Sequence, residues 1–246
     1  MHPGDSGQCE LAPGGKNVYG IPLGILMLQT RFPRIPGDVG NASTWPFPVM
    51  YKVVTDASPD AVVRKLSDAE WLEPFVEAAR ELEQAGVDLI TTGCGFLVLF
   101  QEQLQRRLRV PLLTSSLLQV PWVASLLPPE RRIGILTVEA RSLTERHLRA
   151  AGITAPGKLT IVGMEEVGGY FTNQLLDDRP ELDVARCRDE HVKAAQLLLQ
   201  RDPDIGAIVL ECTNMPPYAD AIRATTGLPV YDLTTLVRWA VMGVKT

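Results

Sequence analysis

The chain has 246 residues, 46% of them hydrophobic and 22% charged, with 24 Lys and Arg against 29 Asp and Glu for a net charge of −5. Such an apolar chain has enough material for one large core or two medium ones, which excludes disorder. The acidic balance, with no basic block longer than Arg106-Arg107 or Arg131-Arg132, argues against nucleic acid as a partner.

Residues 1–19 are rich in Gly and Pro and carry neither the basic nor the apolar segment of a signal peptide, and no later apolar run reaches the ~18 residues of a membrane span. They read as a floppy tail on a cytoplasmic protein with no membrane contact. Beyond the tail, short apolar runs at Leu23–Leu28, Val87–Thr91, Val110–Leu113, Arg132–Thr137, Leu159–Val162, Ile205–Leu210 and Pro229–Tyr231 alternate with segments of helical period. That alternation predicts an α/β fold with mainly parallel sheets. The stretch 29–48, long and rich in Pro, Gly and aromatic residues, suits a lid or an ordinary surface crossover. Within it Arg31 and Arg34 meet either a substrate carboxylate or solvent.

From Ser67 to Gly86, Leu72, Phe75, Val76, Ala79 and Leu82 recur on one face of a predicted helix. Ser67 and Glu70 have capping-box spacing, Gly86 closes the end, and Pro74 marks a start or a kink. Asp183 to Arg201 is a second long helix whose stripe includes Val184, Cys187, Ala195, Leu198 and Leu199, which makes Cys187 a core residue. His2 lies in the tail; His147 and His191, among charged helical residues, read as surface. Glu165 and Glu166, after the fifth run, are not taken as site residues. The four cysteines, Cys9, Cys94, Cys187 and Cys212, are too few for a disulfide scaffold and lack zinc-site spacing, so free thiols and no metal are expected.

The two halves repeat. Gly24-Ile25-Leu26 and Gly134-Ile135-Leu136 both open a strand, and Cys94 and Cys212 each lie seventeen residues before a proline, Pro111 and Pro229. Similar phrases follow, LLTSSLL and VYDLTTL. A tandem duplication is expected: one lobe over 20–127 carrying Cys94 and another over 128–246 carrying Cys212, joined near Leu127-Pro128-Pro129 and facing one cleft. Both cysteines fall where an apolar strand ends and a helix begins, the place where ligands gather in open parallel sheets. Helix N-termini there bind carboxylates and favour thiolates. Gly93 and Gly95 allow close approach, Pro216 suits a first helical turn, and Thr213 and Asn214 supply polar side chains. Thiols on opposite walls suit removal of a proton from one face of a carbon next to a carboxylate and its return on the other. The N–H groups after each cysteine are candidate donors to the enolate. No metal, flavin or pyridoxal motif is visible, so no cofactor is expected.

The phrases TTGCGF and LECTNMPPYA, the duplicated halves and the strand GILTVEA resemble the aspartate/glutamate/hydantoin racemase superfamily, which also contains arylmalonate decarboxylases and maleate cis-trans isomerases. The resemblance runs from about Val18 onward. It implies that Cys94 and Cys212 are the catalytic pair, that Thr213 and Asn214 hold the substrate carboxylate, and that Thr137 supplies a pocket hydroxyl. Gly95 and Phe96 stand where many family racemases have Asn-Thr, which bears on the substrate more than on the chemistry. Gln29 and Arg31, after the first strand, complete the candidate contacts. Retention of both cysteines implies a cofactor-independent racemase or epimerase of a small carboxylate, such as aspartate, glutamate or a hydantoin. A decarboxylase or cis-trans isomerase using mainly Cys212, and a carboxylate-binding protein without turnover, remain open. A homodimer is compatible with all three.

Overall fold

The structure, a computed structural model, describes residues 14–16, 18–65 and 71–244. Most of the tail, with His2 and Cys9, and the Ser67/Glu70 capping box lie outside the described residues. Among the described residues eight strands form two four-stranded sheets, and every pairing is parallel. The first has the order β2-β1-β3-β4, with β1 Leu23–Leu28, β2 Val49–Val54, β3 Leu89–Thr92 and β4 Leu112–Leu113. The second has the order β6-β5-β7-β8, with β5 Arg132–Thr137, β6 Leu159–Gly163, β7 Ile205–Leu210 and β8 Val230–Tyr231. The second order is the first advanced by four strands, and the register agrees: Gly24 stands opposite Ile90 and Gly134 opposite Ile208. The fold is thus α/β with a duplicated sheet topology.

All residues of β1 and β7 are buried, because parallel strands with helices on both faces need no polar side. The edge strand β2 has no counterpart among the seven runs read from the sequence. Most of it is only half-buried and Val53 is exposed, while Lys52 reaches out to pair with Glu81. A strand covered so incompletely carries a weaker apolar signal than a central one.

The helix predicted from Ser67 is α2, Leu72–Ala85, preceded by α1, Pro59–Lys65. Pro74 falls in its first turn, where a missing N–H loses no partner. Gly86, at φ 104°, ends it and donates its N–H to Glu83 and Leu82 carbonyls. The second long helix, α7, spans Val184–Arg201 (α3 Gln101–Gln105, α5 Glu145–Ala150 and α6 Tyr170–Leu176 intervene). Asp183 caps it by accepting from Arg186 N at 3.0 Å, and Cys187 is fully buried in the core. None of the described helices is long and apolar enough to cross a membrane.

The halves exchange their last helices. The C-terminal α9, Leu233–Val244, lays Leu233, Leu236, Val237 and Val241 on Leu23, Ile25 and Leu89 of the first sheet. Reciprocally α4, Val120–Leu126, packs on β5 of the second. Ser116 Oγ of LLTSSLL donates to Leu210 O at 2.5 Å, at the end of β7, and Gln119 Nε2, next after that phrase, donates to Asp232 O of VYDLTTL at 2.9 Å, so the halves are also joined by hydrogen bonds at these segments. The boundary read near Leu127 falls between α4 and β5, yet each sheet is covered by a helix from the other half. The two halves should therefore unfold together. Leu233→Ala should cost about 2–5 kcal/mol in denaturant unfolding and raise hydrogen exchange in β1 as much as in β7; two separate transitions would contradict the exchange.

Candidate active site

Gly93 N donates to Leu26 O at 2.7 Å and Glu211 N to Leu136 O at 2.8 Å. These equivalent bonds carry β3 and β7 one residue further and deliver Cys94 and Cys212 to the same end of both sheets. Cys94, in extended conformation, caps a 3-10 turn over Gly95–Phe100. Beyond Cys212 the chain folds back so that Met215 N donates to Cys212 O at 3.1 Å, and then runs through a short turn into α8, Ala219–Thr226. Both thiols are 8% exposed, and both line one cleft with about 370 Å³ of free space, counting the part open to solvent.

The electrostatics of the cleft are those of a dry site. Burial, followed by the charge of Glu211, pushes the Cys94 thiol up to about 12. The N–H groups of Phe96 and Leu97 and the charge of Arg34 oppose that rise. Burial and Glu211 also drive Cys212 well above the ordinary thiol value, with Cys94 and Asp38 adding to the effect and the N–H of Asn214 opposing it. Cys212 Sγ donates to Asn214 Oδ1 at 3.5 Å, Asn214 Nδ2 donates to Asp38 Oδ2 at 2.6 Å, and Arg34 Nη1 meets Asp38 Oδ1 at 2.9 Å. Burial keeps both thiols in the protonated form near neutral pH, and Cys212 has in addition an acceptor for its proton in Asn214.

Six of the residues singled out in the sequence come together here: Cys94, Gly95, Phe96, Cys212, Thr213 and Asn214 all line the cleft. Thr213 Oγ1 spans the two halves by donating to Gly93 O at 2.7 Å. The close approaches at the glycines are made by the protein itself. A Cβ on Gly93 would lie 2.8 Å from Met27 Sδ, and one on Gly95 would lie 2.2 Å from Glu211 Oε1. Thr137 stands behind the cleft and donates to Glu211 Oε2 at 2.8 Å. Gln29 and Arg31 are not brought to the cleft. Exposed Gln29 accepts from Asp56 N at 3.1 Å, and Arg31, its side chain 72% exposed, pairs with Asp178 at 3.1 Å. Arg34 takes that place instead: it lines the cleft with its guanidinium 4.7 Å from the Phe32 ring centroid.

His147 and His191, read as surface residues, are buried, and neither lines the cleft. Burial lowers both to about 4. His147 packs edge-on against Phe96, and His191 stacks on Tyr218. Glu165 accepts from Ala140 N at 2.8 Å and Glu166 pairs with Arg201 at 2.6 Å, both away from the cleft.

The residue that the sequence reading passed over is Glu211. It lines the cleft, is fully buried, and has Oε1 without a hydrogen-bond partner. Burial raises its carboxyl to about 7 against the hydrogen bond from Thr137. The signal was present, because an ionisable residue ends an otherwise apolar strand run, AIVLE, directly before the cysteine.

The family model described as Asp/Glu/Hydantoin racemase matches residues 51–241. The chain belongs to this family. Among curated proteins it is 30% identical over 227 residues to a dimethylsulfoniopropionate lyase of Durusdinium sp. clade D, covering 89% of this chain and 74% of that protein. It is 32% identical over 224 residues to dimethylsulfoniopropionate lyase 5 of Emiliania huxleyi (strain CCMP1516), covering 87% of this chain but 44% of that protein. The chain thus spans less than half the length of the second relative. Among solved structures, allantoin racemase from Pseudomonas fluorescens superposes with a TM-score of 0.59 at 18% identity, covering 90% of this chain and 89% of that one. This likeness shows the shared racemase fold.

The buried carboxylate makes a testable demand on stability. Below the ordinary glutamate value of 4.5 the group is neutral in both states, and the folded protein loses stability as pH rises through about 7, where it must ionise a group that burial keeps neutral. That loss amounts to about 3 kcal/mol. Glu211→Gln should therefore be more stable than the wild type at pH 8 by about that amount relative to its difference at pH 4. Denaturant curves that show the same difference at both pH values would contradict the placement of Glu211.

Proposed function

We propose that the protein is a cofactor-independent lyase that cleaves dimethylsulfoniopropionate or a close β-sulfonio carboxylate into acrylate, dimethyl sulfide and a proton. The reading is carried by a cleft equipped to remove a proton next to a carboxylate, in a chain whose named curated relatives are dimethylsulfoniopropionate lyases. Racemisation and this elimination begin with the same step. They differ in what the α-carbanion does next: it takes back a proton, or it expels a leaving group from the neighbouring carbon.

In this mechanism Arg34 receives the substrate carboxylate. Its guanidinium is already oriented by Asp38 and by Thr30 Oγ1 at 3.2 Å, which leaves further N–H groups for the ligand. Cys94 is the base: burial and Glu211 push both thiols up, but two N–H groups and the Arg34 charge oppose that rise at Cys94, whereas a single N–H opposes it at Cys212, so Cys94 is the thiol that gives up its proton to solvent to start the cycle. The thiolate takes the α-proton, the electron pair forms the carbon–carbon double bond, and the C–S bond breaks with its electrons going to neutral dimethyl sulfide. The proton on Cys94 then returns to solvent. The apolar side chains of Leu28, Phe32 and Phe96 exclude water and strengthen each charge interaction.

A second reading is a two-base racemase, favoured by thiols from both halves on one cleft. Incubation in D₂O followed by NMR separates the two. Acrylate and dimethyl sulfide should appear from dimethylsulfoniopropionate, Cys94→Ser should slow their release about 10³-fold, and Cys212→Ser should keep a measurable rate. Inversion with α-deuterium uptake in aspartate, glutamate or allantoin, lost equally in both variants, would instead establish the racemase.

A further inference from the structure

The repeat identifies which part of the cleft is new. By the register of the two sheets, Met27 and Gly93 of the first half occupy the positions of Thr137 and Glu211 in the second. The first pair is a thioether packed against a glycine, and the second is a hydroxyl bonded to a carboxylate. The duplication is therefore broken, at the residue before each cysteine, by a single carboxyl group, which is negatively charged at the alkaline side of its raised value of about 7.

That charge has no counter-charge in the protein. Among the described residues Glu211 makes no ion pair, and the sole hydrogen-bonding partner of its carboxylate is Thr137, which occupies Oε2. Arg34, the cation of the cleft, is already paired with Asp38. Oε1 is itself shielded from solvent and lies against Gly95, at a place that any other side chain at 95 would fill, and both residues line the cleft. A buried carboxylate oxygen without a partner is costly, and a ligand can supply what the chain does not. The surrounding wall, Leu28, Val63, Val138, Leu175 and Leu176, is apolar and matches alkyl groups around a diffuse positive centre better than a hydrated ammonium.

We propose that Glu211 is a specificity residue: its free carboxylate oxygen faces the positive centre of a zwitterionic substrate that carries an alkylated onium group β to its carboxylate, and it repels dicarboxylates from the same place. The proposal rests on the lyase reading for the position of the onium group. It explains why one wall of the cleft carries a charge that the other lacks. Arg34 and Glu211 then divide the substrate between them, the guanidinium taking the carboxylate end and Glu211 the onium end. A second carboxylate in place of the onium would meet Glu211 with no cation between them.

The test uses two non-reacting ligands of the same shape, 3-(trimethylammonio)propionate and 4,4-dimethylpentanoate, which differ in one positive charge. Calorimetric titration at pH 8 should show the full-length wild type binding the onium at least tenfold more tightly than the isostere with an uncharged tert-butyl head. In Glu211→Gln that preference should fall below threefold, and glutarate, excluded by the wild type, should bind. A wild type that does not distinguish the isosteres overturns the proposal even if the variant does not fold, and so does a tenfold preference that survives in Glu211→Gln. Neither ligand is turned over, so failure of dimethylsulfoniopropionate cleavage with the preference intact would remove the lyase reading alone.

Discussion

Two equivalent backbone hydrogen bonds, from Gly93 N to Leu26 O and from Glu211 N to Leu136 O, hold the chain in register for one residue past β3 and β7. The cysteines come next in each half, so their position is fixed by the sheets and not by loop conformation. Parallel sheets make this possible, because all carboxyl ends lie on one side and the following turns direct their N–H groups back toward the strand ends. The exchanged helices α4 and α9 then tie the sheets to one another.

Desolvation gives the cleft its chemistry and its cost. Burial is the largest influence on Cys94, Cys212 and Glu211 alike, and it pushes all three toward their neutral forms. The protein answers unevenly: two N–H groups and a guanidinium favour a charge on Cys94, one N–H favours it on Cys212, and Thr137 alone favours it on Glu211. Such unevenness separates roles among groups that sequence symmetry would make equal.

Much of this was legible in the sequence, for physical reasons that differ by element. Central strands such as Ile205–Leu210 are buried on both faces and so appear as unbroken apolar runs, and the equal spacing of Cys94 and Cys212 to their prolines survives because the repeated units pack alike. Val49–Val54 was missed because an edge strand lacks cover on one side. The helix exchange left no trace in the sequence, since the stripe of Leu233, Leu236, Val237 and Val241 states that a helix is buried and not against which sheet. Arg31 and Arg34 are the same residue type three positions apart. Only the turn between them decides that one pairs with Asp178 at the surface and the other with Asp38 in the cleft. His147 has exposed charged neighbours, Arg146 and Arg149, while beside His191 Asp189 and Lys193 are exposed but Glu190 is buried with it, accepting from Tyr170 and Phe171 N–H groups, so flanking charge misjudged the burial of both histidines.

The central claim is that a thiol on one wall takes a proton from one face of the carbon next to a carboxylate. Dimethylsulfoniopropionate carrying a single deuterium at C2, prepared separately in the R and S forms, reads that face directly when the acrylate is analysed by mass spectrometry. The account predicts that one form loses its deuterium almost completely and the other keeps it. Equal retention from both forms would show that no single wall supplies the base, and would contradict the account.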